Sequence, residues 1–310
     1  MSSVKYVGMT VANIEQSVKF YEEVLSCQKV MDTEVWGDDW SQLQGVFGLR
    51  MRVVQMQLGE EIISLMEYLT PQGRPIPVDS RSNDRWFQHI ALVVTDIDRA
   101  YEHLRQFRVK HTSTSPQQLP EWNKKLGGVK AFYFKDPDGH NLELIQFPPD
   151  KAAAKWQQDT DKLFLGIDHS AIGVKNAEAS FPLYRDRLGL TLQLQALNYG
   201  TEFEHITCVF GSKVQVNSMQ AESGIGFELL EYIAPTTGKD MPVDSQANDL
   251  WHYQTVIAVT DLENLAEQLK NAPCKMVSPG IVEMSANDLG YKKALSIRDV
   301  DGHVLHLIEA

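Results

Sequence analysis

Four times along the chain a strand-like apolar run gives way to an apolar stripe at helical spacing. The first is VKYVGMTVANIEQSVKFYEEVL, residues 4–25, in which Ile14, Val18, Tyr21 and Leu25 share one helical face. The same succession recurs in QHIALVVTDIDRAYEHL from Gln88, in IDHSAIGVKNAEASFPLYRDRL from Ile167 and in QTVIAVTDLENLAEQL from Gln254. Asn13, Asp96, Asn176 and Asp261 stand just ahead of these stripes, where a short polar side chain accepts a bond from an unpaired helix amide. Each helix is followed by room for three strands. In the first unit they are predicted near 28–34, 51–58 and 61–68, with turns at GLR and LGEE. In the second, VKAFYF (129–134) and NLELIQF (141–147) flank DPDG, the composition of a tight hairpin. The pattern therefore predicts four βαβββ modules.

The modules are themselves repeated in pairs. EYLTP (67–71) returns as EYIAP (231–235), and PVDSRSNDRW (77–86) as PVDSQANDLW (242–251). FKDPDGHNLELIQF (134–147) aligns without a gap, 163 residues later, with IRDVDGHVLHLIEA (297–310), which keeps the turn and the apolar positions but has His306 where the first has the acid Glu143. Two homologous halves, 1–147 and 163–310, follow, joined by the linker 148–162 (PPDKAAAKWQQDTDK).

Composition narrows the class. Of 310 residues, 43% are apolar and 23% charged, as in a globular protein that is not membrane-embedded. No apolar run nears the roughly 18 residues of a membrane span, and MSSVKYVGMT lacks a signal-peptide layout, so a cytoplasmic location is expected. Cys27, Cys208 and Cys274 are too few and too scattered for a disulfide framework. A net charge of −12 without a basic block argues against nucleic acid as a partner.

A strand-helix-three-strand module used four times, with HIALVV opening one copy and DPDGHNLELI closing it, resembles the vicinal oxygen chelate superfamily. That group includes glyoxalase I, extradiol dioxygenases, methylmalonyl-CoA epimerase and bleomycin-binding proteins. The resemblance implies an α+β fold in which modules pair into glyoxalase-like domains, their mixed sheets curling around cavities. It also implies that ligands come from the first and last strand of each module. Carried over residue by residue, these positions are Tyr6 and Ser64, His89 and Glu143, His169 and Glu228, and Gln254 and His306. Imidazole and carboxylate suit Zn, Ni, Fe or Mn, and a dication polarises substrate oxygens.

What the eight positions mean depends on which modules pair. Pairing within each half leaves Tyr6, Ser64, His89 and Glu143 in one cavity and His169, Glu228, Gln254 and His306 in the other. Pairing across the halves collects His89, Glu143, His169 and Glu228 as a metal site and leaves Tyr6, Ser64, Gln254 and His306 in a second cavity without a carboxylate. The crossed arrangement is favoured because it assembles the two-His, two-Glu set of bacterial glyoxalase I.

The resemblance implies a metal-dependent lyase or isomerase for a small molecule with vicinal oxygens, in which Glu143 or Glu228 is the general base beside a carbonyl. An extradiol dioxygenase would use His169, Gln254 and His306, of which only His169 matches. A noncatalytic, antibiotic-binding module would use Trp36, Trp40 and Trp122 as stacking surfaces. A glutathione-derived substrate would need cations, and Arg74, Arg85, Lys124 and Lys125 stand on loops. His140 and His303, after the turn glycines, are expected at the surface, and Trp86 and Trp251 in the core. The DPDGHNLE stretch lacks the twelve-residue calcium-loop spacing and is read as a hairpin. A monomer or a homodimer is expected, with no membrane partner.

Overall fold

The computed structural model describes residues 2–309. Module 1 comprises β1 (Ser2–Thr10), α1 (Ile14–Glu23), β2 (Gln28–Trp36), α2 (Asp38–Gln44), β3 (Arg50–Leu58) and β4 (Glu61–Thr70). Module 2 comprises β5 (Gln88–Val94), α3 (Ile97–Gln106), the short β6 (Lys110–His111) and β7 (Gln117–Gln118), β8 (Lys130–Lys135) and β9 (Asn141–Gln146). Module 3 has β10 (Phe164–Val174), α4 (Ala177–Tyr184), β11 (Thr191–Tyr199), α5 (Thr201–Thr207), β12 (Lys213–Gln220), β13 (Ser223–Gly224) and β14 (Gly226–Ala234). Module 4 has β15 (Tyr253–Val259), α6 (Leu262–Leu269), β16 (Lys275–Met276), β17 (Val282–Glu283), β18 (Lys293–Arg298) and β19 (Val304–Glu309).

Local chemistry explains the helix starts. Asn13, Asp96, Asn176 and Asp261 each accept a bond from an amide in the first turn of the following helix. Their helices bury the apolar stripe: Ile14, Tyr21 and Leu25 are almost fully enclosed. The helices α2 and α5 go beyond the periodicity reading. Each is a single short segment, entered from a glycine with positive φ and left through a left-handed residue, Gly45 or Cys208.

Pairing crosses the halves. One sheet has the order β16-β18-β19-β15-β1-β4-β3-β2, and the other β11-β12-β14-β10-β5-β9-β8-β6. Modules 1 and 4 thus share a sheet through antiparallel β1 and β15, and modules 2 and 3 share one through antiparallel β5 and β10. The segments 1–147 and 163–310 are units of repetition, while each sheet draws on both. Alternation along the strands sends one set of side chains, such as Ile90, Leu92, Leu142 and Leu144, into a core shared by both sheets and their helices. The opposite set lines two separate concavities.

The repeated Asp-X-Asp-Gly-His turns fasten one sheet to the other. Asp136 Oδ1 accepts the amides of Asp138, Gly139 and His140, which shapes the hairpin. Asp138 then reaches across to the amide of Ala12, at the entrance of α1. His140 is buried rather than at the surface: Nδ1 donates to Asp136 Oδ2 at 2.8 Å and Nε2 to the Leu250 carbonyl at 2.6 Å. Both partners are acceptors, so both ring nitrogens carry hydrogen. Burial opposes that charge, but the Asp136 and Asp138 carboxylates outweigh it and raise the His140 pKa. His303 is likewise buried and bonds the Gly173 carbonyl, so the surface expectation fails for both histidines. Hydrogen-bond demand from the opposite sheet, invisible in a turn motif, is the reason.

A second pair of locks involves Gly73 and Gly238. Their backbones lie against the Asn-Asp turns of the other half, with Leu250 N bonded to Arg74 O and Arg85 N to Lys239 O. Trp86 and Trp251 are buried beside these turns, each donating Nε1 to a serine, Ser80 or Ser245.

Candidate metal centre

At the middle of the second sheet, β5 and β10 run antiparallel so that Ala171 faces His89 and Ala91 faces His169. The parallel neighbours β9 and β14 place Glu143 beside Ala91 and Glu228 beside Ala171. Two alanines thus occupy the centre of a four-residue constellation. Their small side chains leave space above the sheet for the longer imidazoles and carboxylates to meet.

The meeting is close. His89 Nε2 lies 3.0 Å from Glu143 Oε2 and 3.3 Å from His169 Nε2. His169 Nε2 is 3.6 Å from Glu143 Oε2 and 3.4 Å from Glu228 Oε2. Donors about 2.1 Å from one ion stand roughly 3.0 Å apart at right angles and 3.4 Å apart at tetrahedral angles. The observed spacings fall at or near those values. His89, Glu143 and His169 form the tighter group, with one ligand atom from each lying within 4.8 Å of the others.

Asp168 Oδ2 accepts from His169 Nδ1 at 2.9 Å, which turns Nε2 and its lone pair towards the carboxylates when the ring is neutral. Trp156 from the linker donates to the other Asp168 oxygen, so the joining segment braces the site. His89 has no such brace among the described residues: its Nδ1 is buried without a partner there, and the ring is held by Tyr133 at 4.9 Å and Phe87 at 5.6 Å between centroids.

Without a cation the group is self-neutralising. Burial opposes charge on His169, yet Glu228, Asp168 and Glu143 override it and push the pKa up to about 10. Burial raises Glu228; His169 draws it back, and the Glu143 carboxylate adds to the rise. For Asp168 burial acts upward, but the His169 hydrogen bond and charge win, so it lies below the usual carboxylate range. A dication here would take the place of that proton and leave the imidazoles neutral.

The constellation opens into a cavity of about 210 Å³. Its wall is largely apolar, with Leu119, Ile145, Phe203, Ile206 and Leu230, and Lys125 and Lys151 also line it.

The other four carried-over positions converge in the first sheet, where they meet a filled concavity. Val256 stands between Tyr6 and His306, at the place Ala91 holds in the metal centre. The Tyr6 hydroxyl bonds that of Tyr291, and Tyr291 packs on Trp40 of α2 at 5.8 Å. At the repeat offset of 163, Tyr291 corresponds to Gly128. His306 is fully buried, and neither ring nitrogen has a hydrogen-bond partner among the described residues. Burial and then the neighbouring His252 push its pKa down to about 3. Gln254 bonds His252, and Ser64 is enclosed beside Gly8. Glu143 and His306 therefore differ because they belong to different concavities, one open and holding the His/Glu group, the other filled and with no carboxylate at the four positions.

Other sequence candidates take different places. His169 lies in one sheet and Gln254 with His306 in the other, so the dioxygenase-type set is not assembled. Among the tryptophans proposed as stacking surfaces, Trp40 is buried, Trp36 is exposed, and Trp122 stacks on Tyr199 at 4.3 Å. Arg74 is engaged with Asp244 and Asp249, and the buried Arg85 donates to the Val174 carbonyl, so neither is a free cation. Pairing with the opposite half consumes both. Asp168, Tyr133 and Lys151 were not singled out by sequence; the Asp-His step at 168–169 was the available signal for the first.

Comparisons with known proteins bear on the fold and family. Residues 3–144 match the model of the Glyoxalase/Bleomycin resistance protein/Dioxygenase superfamily, and that stretch is a domain of the superfamily. A 2-epi-5-epi-valiolone epimerase of Actinomyces sp is 29% identical over 164 residues, covering 51% of this chain and 85% of that protein. The Escherichia coli protein YaeR is 25% identical over 146 residues, 47% of this chain and 97% of its own length. Glyoxalase I from Zea mays superposes with a TM-score of 0.63 at 16% identity, covering 100% of this chain and 92% of that one, a likeness of fold. Members of the superfamily commonly bind divalent metals. No helix among the described residues is long and apolar enough to cross a membrane.

Proposed function

We propose that the chain is a divalent-metal-dependent isomerase or lyase that removes, and in an isomerase returns, a proton beside an oxygen-bearing carbon of a small substrate. The observation that carries this reading is the convergence of His89, Glu143, His169 and Glu228 from two modules at single-ion spacings beside a cavity. Similarity to an epimerase, whose reaction inverts a stereocentre, supports the proton-transfer class.

His89, Glu143 and His169 would hold the ion, with Glu228 as fourth ligand. A bound dication supplies charge stabilisation for two adjacent substrate oxygens and for the enolate-like charge that develops when the proton leaves. Glu228 is the better general base of the two glutamates. It lies outside the tight three-donor group, and its side chain is 16% exposed against 7% for Glu143. Its carboxylate takes the proton and returns it on the same face to the neighbouring atom; inversion at the same carbon would instead need a second acid on the opposite face, for which Glu143 is the other glutamate at hand. The apolar wall excludes water from the intermediate.

Metal analysis of the purified chain and three variants tests the reading. His89→Ala and Glu228→Ala should lose bound metal relative to wild type, whereas His306→Ala should keep it. Full metal retention in His89→Ala, or catalysis undiminished after complete metal removal, would refute it.

A further inference from the structure

The cavity holds two cations that the proton-transfer chemistry does not use. Lys125 lies in the loop between β7 and β8, and Lys151 in the segment after β9; both line the cavity wall. Lys125 Nζ donates to the Gln195 carbonyl on β11 at 2.7 Å, so it bridges the two modules across the opening. Lys151 Nζ donates to the Gly127 carbonyl. Each ammonium has three hydrogens and one such acceptor, and neither lysine forms an ion pair with a carboxylate among the described residues. Among the described residues six lysines pair with acids and others, such as Lys124 and Lys213, do not, so what marks Lys125 and Lys151 is their place on the cavity wall.

The placement is supported rather than accidental on the loop. Asn123 ties the same loop to β11 by bonding Asn198 at 2.6 Å, and its own Oδ1 accepts the Lys125 and Leu126 amides. Trp122 stacks on Tyr199 alongside. The loop is thus docked on module 3 and holds Lys125 at the rim. Three carboxylates line the cavity, Glu143, Asp168 and Glu228. A dication with the two ammonium groups would outweigh them by one positive charge, in a protein whose net charge is −12.

We infer that the substrate is a small organic anion: its vicinal oxygens face the His/Glu centre, an apolar body crosses the Leu/Ile/Phe wall, and a terminal carboxylate or phosphate is received by Lys125 and Lys151. A 210 Å³ cavity lies below the roughly 300–1,000 Å³ of pockets for drug-sized ligands, so the anion is compact. The chelating half of this inference rests on the proposed function; the lysine half does not.

Calorimetry on the full zinc-loaded chain tests it with three oxygen-chelating probes: succinic monohydroxamic acid, its methyl ester, and the corresponding phosphonate. The acid should bind at least tenfold more tightly than the ester. In Lys125→Gln/Lys151→Gln that preference should fall below threefold while the ester's own affinity is unchanged. A phosphonate preference assigns phosphate as the natural anion, and the reverse assigns carboxylate. Equal binding of acid and ester by wild type overturns the inference and leaves the metal reading standing. If no probe binds in a zinc-dependent way, the metal reading fails instead. The lysine pair is then judged on the metal-free chain, where hexanoate must bind more tightly than hexanamide and lose that advantage in the double variant; equal binding overturns the anion site.

Discussion

Replacing His306 by leucine should make the protein less sensitive to acid. His306 is fully enclosed, neither nitrogen has a partner among the described residues, and its pKa is pushed down to about 3. In the unfolded chain the imidazole titrates near 6.5. The folded value lies below the unfolded one, so between them the unfolded chain binds the proton and stability falls as pH drops through about 6.5 towards 3. At pH 5 the unfolded state gains RT ln(1 + 10^1.5), about 2 kcal/mol, that the folded state does not share. Leucine removes this difference, together with two buried polar atoms that bond nothing among the described residues. Urea unfolding of chelator-treated wild type and His306→Leu at pH 8 and pH 5, followed by tryptophan fluorescence and far-UV circular dichroism, measures it. The wild type should lose about 2 kcal/mol more than the variant between the two pH values. Equal losses would mean that His306 titrates like an exposed histidine, and that the first concavity is open to water rather than filled by Tyr6, Tyr291 and Trp40.

Two further outcomes follow from the geometry. Asp168→Asn keeps the shape but weakens the orientation of His169, so metal affinity measured by competition with a chelating dye should fall roughly 10–100-fold with the fold intact; unchanged affinity would remove Asp168 from the site. Gly238→Ala would set a Cβ 1.7 Å from the Asn83 carbonyl oxygen, and the backbone must move apart, at a cost of about 3 kcal/mol or more. A variant melting within 1 °C of wild type would show that the lock between the halves is slack.

The sequence by itself determined what depends on near neighbours. Strand alternation, the helical stripe and the Asn or Asp caps act over a few residues, which is why the four modules and the entrances of the four main helices were legible. Strand position also told which of His89, Glu143, His169 and Glu228 stand on first or last strands, once the resemblance had marked those positions. Only the tertiary structure decided which modules meet. The first strands of all four modules offer similar edges, and the choice of β5 with β10 and β1 with β15 is made by packing across the whole chain. The fate of His140, His303, Arg74 and Arg85 turned on the same event, because their partners lie more than 80 residues away. So did the contrast between the concavities: Ala91 against Val256 and Gly128 against Tyr291 are modest changes in sequence, and they become an open cavity or a filled one only when the sheet curls around them.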